Sequence, residues 1–264
     1  MITFGMPTVM ETETVEETVA LCGELGLSFL ELNTNFPKYQ PHLLDDKLLN
    51  QWGEKYGVSY SIHLNDDLAV AEFHPAIAQG YRTAVLDAID LAKKIGVKKI
   101  VMHSHPGAKY TMPDRIVYFY EAYSREYLDK IKEFRDACQE AIGDADITIC
   151  MENTNGYMPY QKEALELLLE SPVFGLTLDV GHNDCAGYVD EAWILERKDR
   201  LHHMHIHDVR NHKNDHLTLG TGELDVEKYL ALAQECNCTA VLETKTLAGL
   251  RGSVDWLKKN GYLG

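Results

Sequence analysis

The chain reads as a single (β/α)8 barrel domain covering residues 1–264. Three observations carry that expectation. Short runs rich in Val, Ile, Leu and Phe alternate with longer segments of 3.6-residue periodicity, the pattern of parallel strands joined by helical crossovers. Eight such units fit this length, and a closed barrel of about 250 residues is one domain. Glycine recurs between a helix end and a strand start, in Leu25-Gly26-Leu27, Tyr56-Gly57-Val58 and Ile95-Gly96-Val97, where a left-handed residue ends a helix. Finally, polar side chains gather where the expected strands stop.

The strands are expected at residues 2–5, 28–32, 59–63, 99–103, 147–152, 175–179, 201–205 and 240–243. A helical pattern starts at Thr14 and carries Val15, Val19, Leu21 and Leu25. Another covers residues 77–95, with Val85, Ile89 and Ala92 on one face. A long one covers residues 114–142, where Tyr118, Tyr120, Tyr123 and Tyr127 cluster. These tyrosines read as helix packing, with a substrate wall as the alternative. Val254-Asp-Trp-Leu257 belongs to a closing helix. No linker-like or low-complexity tract interrupts the series.

Composition narrows the function. Hydrophobic residues make up 45%, enough for one sizeable core, and 25 Lys+Arg against 41 Asp+Glu give a net charge of −16. Such a surface repels nucleic-acid backbones and anionic membranes. A charged segment leading an apolar one is missing at the start, and no run of ~18 apolar residues exists. Six dispersed cysteines without a C-x-x-C pair suit reduced thiols. The expectation is a cytoplasmic protein with no membrane partner.

In a parallel barrel the reactive residues sit at the C-terminal ends of the strands. Seven of the eight expected strands stop on a carboxylate, an imidazole or both: Glu31, His63, His103, Glu152, Asp179, His205 and Glu243 lead those ends. The densest stretch, Leu201-His-His-Met-His-Ile-His-Asp208, holds four histidines and an aspartate in eight residues. Glu152, Asp179, His205 and Glu243 come from consecutive strands and therefore converge above the barrel axis. Three carboxylates crowded together repel one another, and a divalent cation resolves that repulsion.

Six segments together resemble the xylose isomerase-like TIM-barrel superfamily, which holds the sugar-phosphate isomerase/epimerase, D-tagatose 3-epimerase and endonuclease IV branches. They are His105-Pro-Gly, Met151-Glu-Asn-Thr-Asn-Gly156, Leu178-Asp-Val-Gly-His182, Met204-His-Ile-His-Asp208, His216-Leu-Thr-Leu-Gly-Thr-Gly-Glu-Leu-Asp225 and Leu242-Glu-Thr244. The resemblance implies a metal quartet of Glu152, Asp179, His205 and Glu243. It implies a substrate contact or a further zinc ligand at His182, and additional ligands at His63, His105 and His216. His103 rivals His105, since both share one strand parity. Asn214 stands where the endonucleases carry Asp, with Asp215 displaced by one, which puts a third metal in doubt. His207 is expected to orient His205 or to touch substrate, Arg210 to hold a substrate hydroxyl or phosphate, and Lys245 is a similar candidate. His202 and His203 are expected to be structural or solvent-facing.

The reading that follows is a divalent-metal-dependent isomerase or epimerase, with Mn or Zn preferred and Mg or Co admitted. Its substrate is a small sugar or sugar phosphate, and Glu152 and Glu243 are the acid/base pair for proton transfer through a cis-enediolate. The alternatives are a multinuclear zinc phosphodiesterase resembling endonuclease IV, a metal-dependent keto-sugar dehydratase, and a non-catalytic metal-binding barrel. Association into a homo-oligomer through a helical face is a further expectation.

Overall fold

The computed structural model describes residues 2–264. Eight parallel strands, β1 (Thr3–Pro7), β2 (Phe29–Asn33), β3 (Ser59–His63), β4 (Lys99–His103), β5 (Thr148–Glu152), β6 (Phe174–Asp179), β7 (Leu201–Ile206) and β8 (Thr239–Leu242), follow one another around a closed barrel, and β8 pairs with β1. Each begins and ends within two residues of its expected position. The main surrounding helices are Val15–Glu24, Asp46–Tyr56, Pro75–Ile95, Ser124–Ile142, Pro159–Leu169, Val226–Glu235 and Leu247–Lys259. No helix among the described residues is long and apolar enough to cross a membrane.

Local chemistry fixes these elements. Thr14 caps the first helix: its hydroxyl accepts the Glu17 N–H while the Glu17 carboxylate accepts the Thr14 N–H, which satisfies two otherwise orphaned donors. Gly57 and Gly96 end their helices at φ +69° and +71°, a conformation that a Cβ would strain. On the strands, side chains alternate between the barrel axis and the helices. Leu30, Leu32, Ile62, Ile100 and Met102 join the apolar layer under the helices, together with Val85, Ile89 and Ala92.

The barrel interior is different. Branched apolar residues usually fill it, but here Glu31, Ser61, His63, Glu152, Thr177, Asp179, His203 and His205 are all buried there. The floor of this polar column is aromatic. Gly5 leaves room for the Phe29 ring, which a Cβ would overlap, and Phe29 lies 6.0 Å from the His203 ring.

One expected helix is corrected. Residues 114–142 are not continuous: an antiparallel hairpin pairs Lys109–Thr111 with Ile116–Tyr118, a short helix covers Phe119–Ala122, and the long helix starts at Ser124. Ile116-Val117-Tyr118 is a strand-prone run behind a Pro113-Asp114 turn, and Tyr123 departs from helical backbone (φ −122°, ψ 47°). Tyr120 and Tyr127 are buried and stack at 4.3 Å, whereas Tyr123 is exposed. An unexpected ribbon, Asp208–Arg210 paired with Asn214–Leu217, follows β7.

Candidate metal centre

Strands β5 to β8 deliver Glu152, Asp179, His205 and Glu243 to one buried place. Register puts Asp179 beside His205, and His205 beside Val241, two residues before Glu243. His205 Nδ1 lies 3.2 Å from Glu152 Oε1, 3.3 Å from Glu243 Oε2 and 3.8 Å from Asp179 Oδ2. These are contacts without hydrogen bonds: Glu152 Oε1, Glu243 Oε2 and both nitrogens of His205 are buried without a hydrogen-bond partner. Leaving one such atom unpaired costs about 1–3 kcal/mol. Several converging on one point form a donor set for a cation, and carboxylate oxygen with imidazole nitrogen suits a divalent ion of the zinc or manganese type.

Electrostatics agrees. Burial pushes Glu152 and Glu243 upward, yet His205 and the cations around it hold both well below the usual carboxylate range. Burial likewise opposes the lowering of Asp179, which His207 and His182 bring about. The reverse holds for His205, where Glu152, Glu31 and Glu243 outweigh burial and raise it well above an ordinary imidazole.

The quartet is held from behind. Asp179 Oδ1 accepts the His182 N–H at 2.6 Å, which caps the short helix Val180–Cys185. His207 Nε2 is 3.1 Å from both Asp179 oxygens, and His207 Nδ1 accepts the His216 N–H at 2.8 Å. Burial lowers His207 and the Asp179 charge raises it, with a net upward shift. The backbone donor nevertheless needs the Nδ1 lone pair, so the ring is neutral with its proton on Nε2. The Lys245 ammonium, 2.6 Å from Glu243 Oε1, leaves Oε2 to face His205.

Two further donor groups adjoin. His63 Nε2 and His103 Nε2 lie 3.2 and 3.3 Å from Glu152 Oε2, with Asp66 beyond them. Glu152 raises His63 to about 9 against the opposing effect of burial. His105 was expected in this place. Because β4 stops at His103, the chain has already turned at His105, whose Nδ1 accepts the Gly107 N–H at 3.0 Å. On the other side, His182, Asp215 and His216 bring ligand atoms within 4.8 Å of one another. The carboxylate of this group is Asp215, while its neighbour Asn214 is exposed. Burial lowers His182, but Asp179 and Glu152 raise it to about 10.

Two of the expected substrate contacts, His207 and Arg210, have protein partners in this structure. His207 is fully buried, with Nε2 on Asp179 and Nδ1 on the His216 N–H. Arg210 is exposed on the ribbon and donates to the Thr221 carbonyl. His203 is structural: it sits inside the barrel between Thr239 and Glu31. Glu31, a strand-end carboxylate in the sequence but not one of the expected ligands, faces His205 Nε2 from below.

Beside the centre, on the side of His103 and His182, opens a cleft of about 360 Å³ lined by Asp66, Asp67, His103, His105, Asn155 and His182 among others, with no Lys or Arg in its walls. It lies over the loops after β3, β4, β5 and β6.

Comparison with known proteins matches this architecture. The uncharacterized protein MJ1614 of Methanocaldococcus jannaschii is 26% identical over 216 residues, 78% of this chain and 79% of that protein. The solved structure of a D-tagatose 3-epimerase-like protein superposes with a TM-score of 0.79 at 21% identity, covering 98% of this chain and 96% of the other. That of IOLI protein with a binding zinc atom gives 0.73 at 15% identity, covering 98% and 96%. Residues 19–260 match the family model described as xylose isomerase-like TIM barrel. The chain belongs to the xylose isomerase-like TIM-barrel family.

Proposed function

We propose that this chain, acting as one domain, is a divalent-metal-dependent isomerase or epimerase of a small sugar-like hydroxy-carbonyl compound. The observation that carries the reading is the convergence of unpartnered Glu152 Oε1, Glu243 Oε2 and His205 Nδ1 beside an open cleft, whose wall residues His103 and His182 approach Glu152. Glu152, Asp179, His205 and Glu243 would hold the ion. When bound, it would polarise a carbonyl and so acidify the neighbouring C–H. Glu152 and Glu243 approach from strands on opposite sides of Asp179 and His205. One is placed to take a proton from carbon and the other to return one to the opposite face. His63, His103 and His182 crowd Glu152, and Lys245 and His216 crowd Glu243, so each carboxylate is fixed in direction. His182 also lines the cleft, within reach of a substrate hydroxyl.

The fold likeness to an epimerase-like protein and to a zinc-bearing one supports this reading without assigning a substrate. The test is a metal-reconstituted screen of ketoses, aldoses and their phosphates in deuterated water. Turnover should carry deuterium into the product, and Glu152→Gln and Glu243→Gln should each lower kcat by about 10²- to 10⁴-fold, the usual worth of a positioned acid or base.

A second reading, a multinuclear zinc phosphodiesterase, is favoured by the two adjoining donor groups. The acidic cleft opposes it, because a nucleic-acid backbone needs cationic contacts. EDTA-sensitive cleavage of an abasic-site duplex, with no deuterium exchange on any sugar, would reverse the ranking.

A further inference from the structure

Beneath the quartet lies a buried carboxylate that the proton-transfer chemistry does not use. Glu31 on β2 is 2% exposed, and its two oxygens have different surroundings. Oε2 accepts the Ser61 hydroxyl at 2.9 Å and lies 3.2 Å from His203 Nε2. His203 is tied off on its other side, with Nδ1 2.6 Å from Thr239 Oγ1. The backbone carbonyl of Glu31 takes both the hydroxyl and the N–H of Thr8. The residue is therefore anchored by Thr8 just past β1, Ser61 on β3 and His203 on β7, and one atom is left over. That atom, Oε1, is 3.0 Å from His205 Nε2, the nitrogen that faces away from Glu152, Asp179 and Glu243. The contact is close but not aligned as a hydrogen bond, and His205 Nε2 has no other partner.

We propose that Glu31 is the positioning residue of the metal centre: it takes the Nε2–H of His205, so that the ring presents Nδ1 to the cation, and Ser61 and the His203–Thr239 pair hold Glu31 for that task. This rests on the metal-centre reading above. An imidazole that ligates through one nitrogen keeps a proton on the other, and a buried proton of this kind needs an acceptor. A carboxylate acceptor also makes the ligating nitrogen a stronger base. Glu31, His203 and His205 are close enough together to hold an ion themselves. Both His203 nitrogens and Glu31 Oε2 already have partners, however, so the group works as a hydrogen-bond network. It also explains the His-x-His spacing of His203 and His205, since both rings must point inward to meet the same carboxylate.

The test is titration of chelator-stripped wild-type protein and Glu31→Gln with Co(II), reading stoichiometry, affinity by chelator competition, and the visible absorption of the bound ion. Gln keeps the shape of Glu and removes its charge. The expected result is an unchanged stoichiometry, binding weakened about 10- to 100-fold, and a shifted absorption band. Unchanged affinity and spectrum would overturn the role of Glu31 and leave the metal centre standing, as would a lower melting temperature of the metal-free variant with normal cobalt binding. Loss of a whole equivalent would make Glu31 a ligand and overturn the role as well. Wild-type protein that takes up no Co(II) would overturn the metal centre and this proposal with it. If Glu31→Gln fails to fold, Ser61→Ala, which removes only the hydroxyl donated to Oε2, decides in its place: weaker binding supports the proposal and unchanged binding overturns it.

Discussion

His205 is surrounded by carboxylates on both edges of its ring, with Glu152, Asp179 and Glu243 around Nδ1 and Glu31 at Nε2. The sequence shows the first three because each ends a strand of the same barrel layer. Glu31 is legible as a strand-end carboxylate, but nothing in local spacing links it to a residue on β7; only the closed barrel joins them. His103 and His105 share a parity, so the pattern alone could not choose between them, and the end of β4 decides. His207 and Arg210 give a paired test at this scale. His207→Ala removes the donor to Asp179 and should weaken metal binding about 10- to 100-fold in a competition titration. Arg210→Ala should leave kcat/KM unchanged in the assay that detects turnover, since Arg210 is exposed on the ribbon and outside the walls of the cleft.

At the scale of elements, the loops after the strands aim the site. The short helix Val180–Cys185 starts on Asp179, and Gly181 in its first turn packs against His207 so closely that a Cβ would overlap the ring. Gly181→Ala should therefore push His207 away from Asp179 and weaken metal binding. The same titration checks it, and an unchanged affinity would show that the ring has another stable position. The barrel strands were legible because burial on both faces gives short apolar runs with polar ends. The hairpin at Lys109–Tyr118 was not, because its short strands sit within a stretch whose apolar spacing also suits a helix. The ribbon Asp208–Arg210 with Asn214–Leu217 was masked by His216, which reads as a ligand rather than as a strand residue. It is anchored by Asp208, whose carboxylate accepts the N–H groups of Val209, Gly222 and Leu224, a turn-stabilising role that no periodicity announces.

At the scale of the whole molecule, the chain keeps a column of charge inside its barrel, and stability must depend on what neutralises it. In the metal-free protein Glu152 and Glu243 are held below their ordinary value of 4.5. Their contribution is present above that pH and is lost as pH falls through the folded-state values. His63 and His182 are raised from 6.5 to about 9 and about 10, so their contribution is full below 6.5 and is lost as pH rises through 9 to 10. The metal-free protein should therefore lose stability as pH falls below about 4.5 and again as it rises through 9 to 10, which a thermal-shift series in EDTA reads directly. A cation competes with protons for these side chains, so metal binding should weaken on acidification. The most direct measurement of the account is the metal content of protein purified without chelator, followed by titration of the stripped protein with Mn, Zn, Co and Mg. It predicts about one to two equivalents, with a melting temperature that rises on loading. Protein that carries no metal and takes up none would contradict the account at its centre.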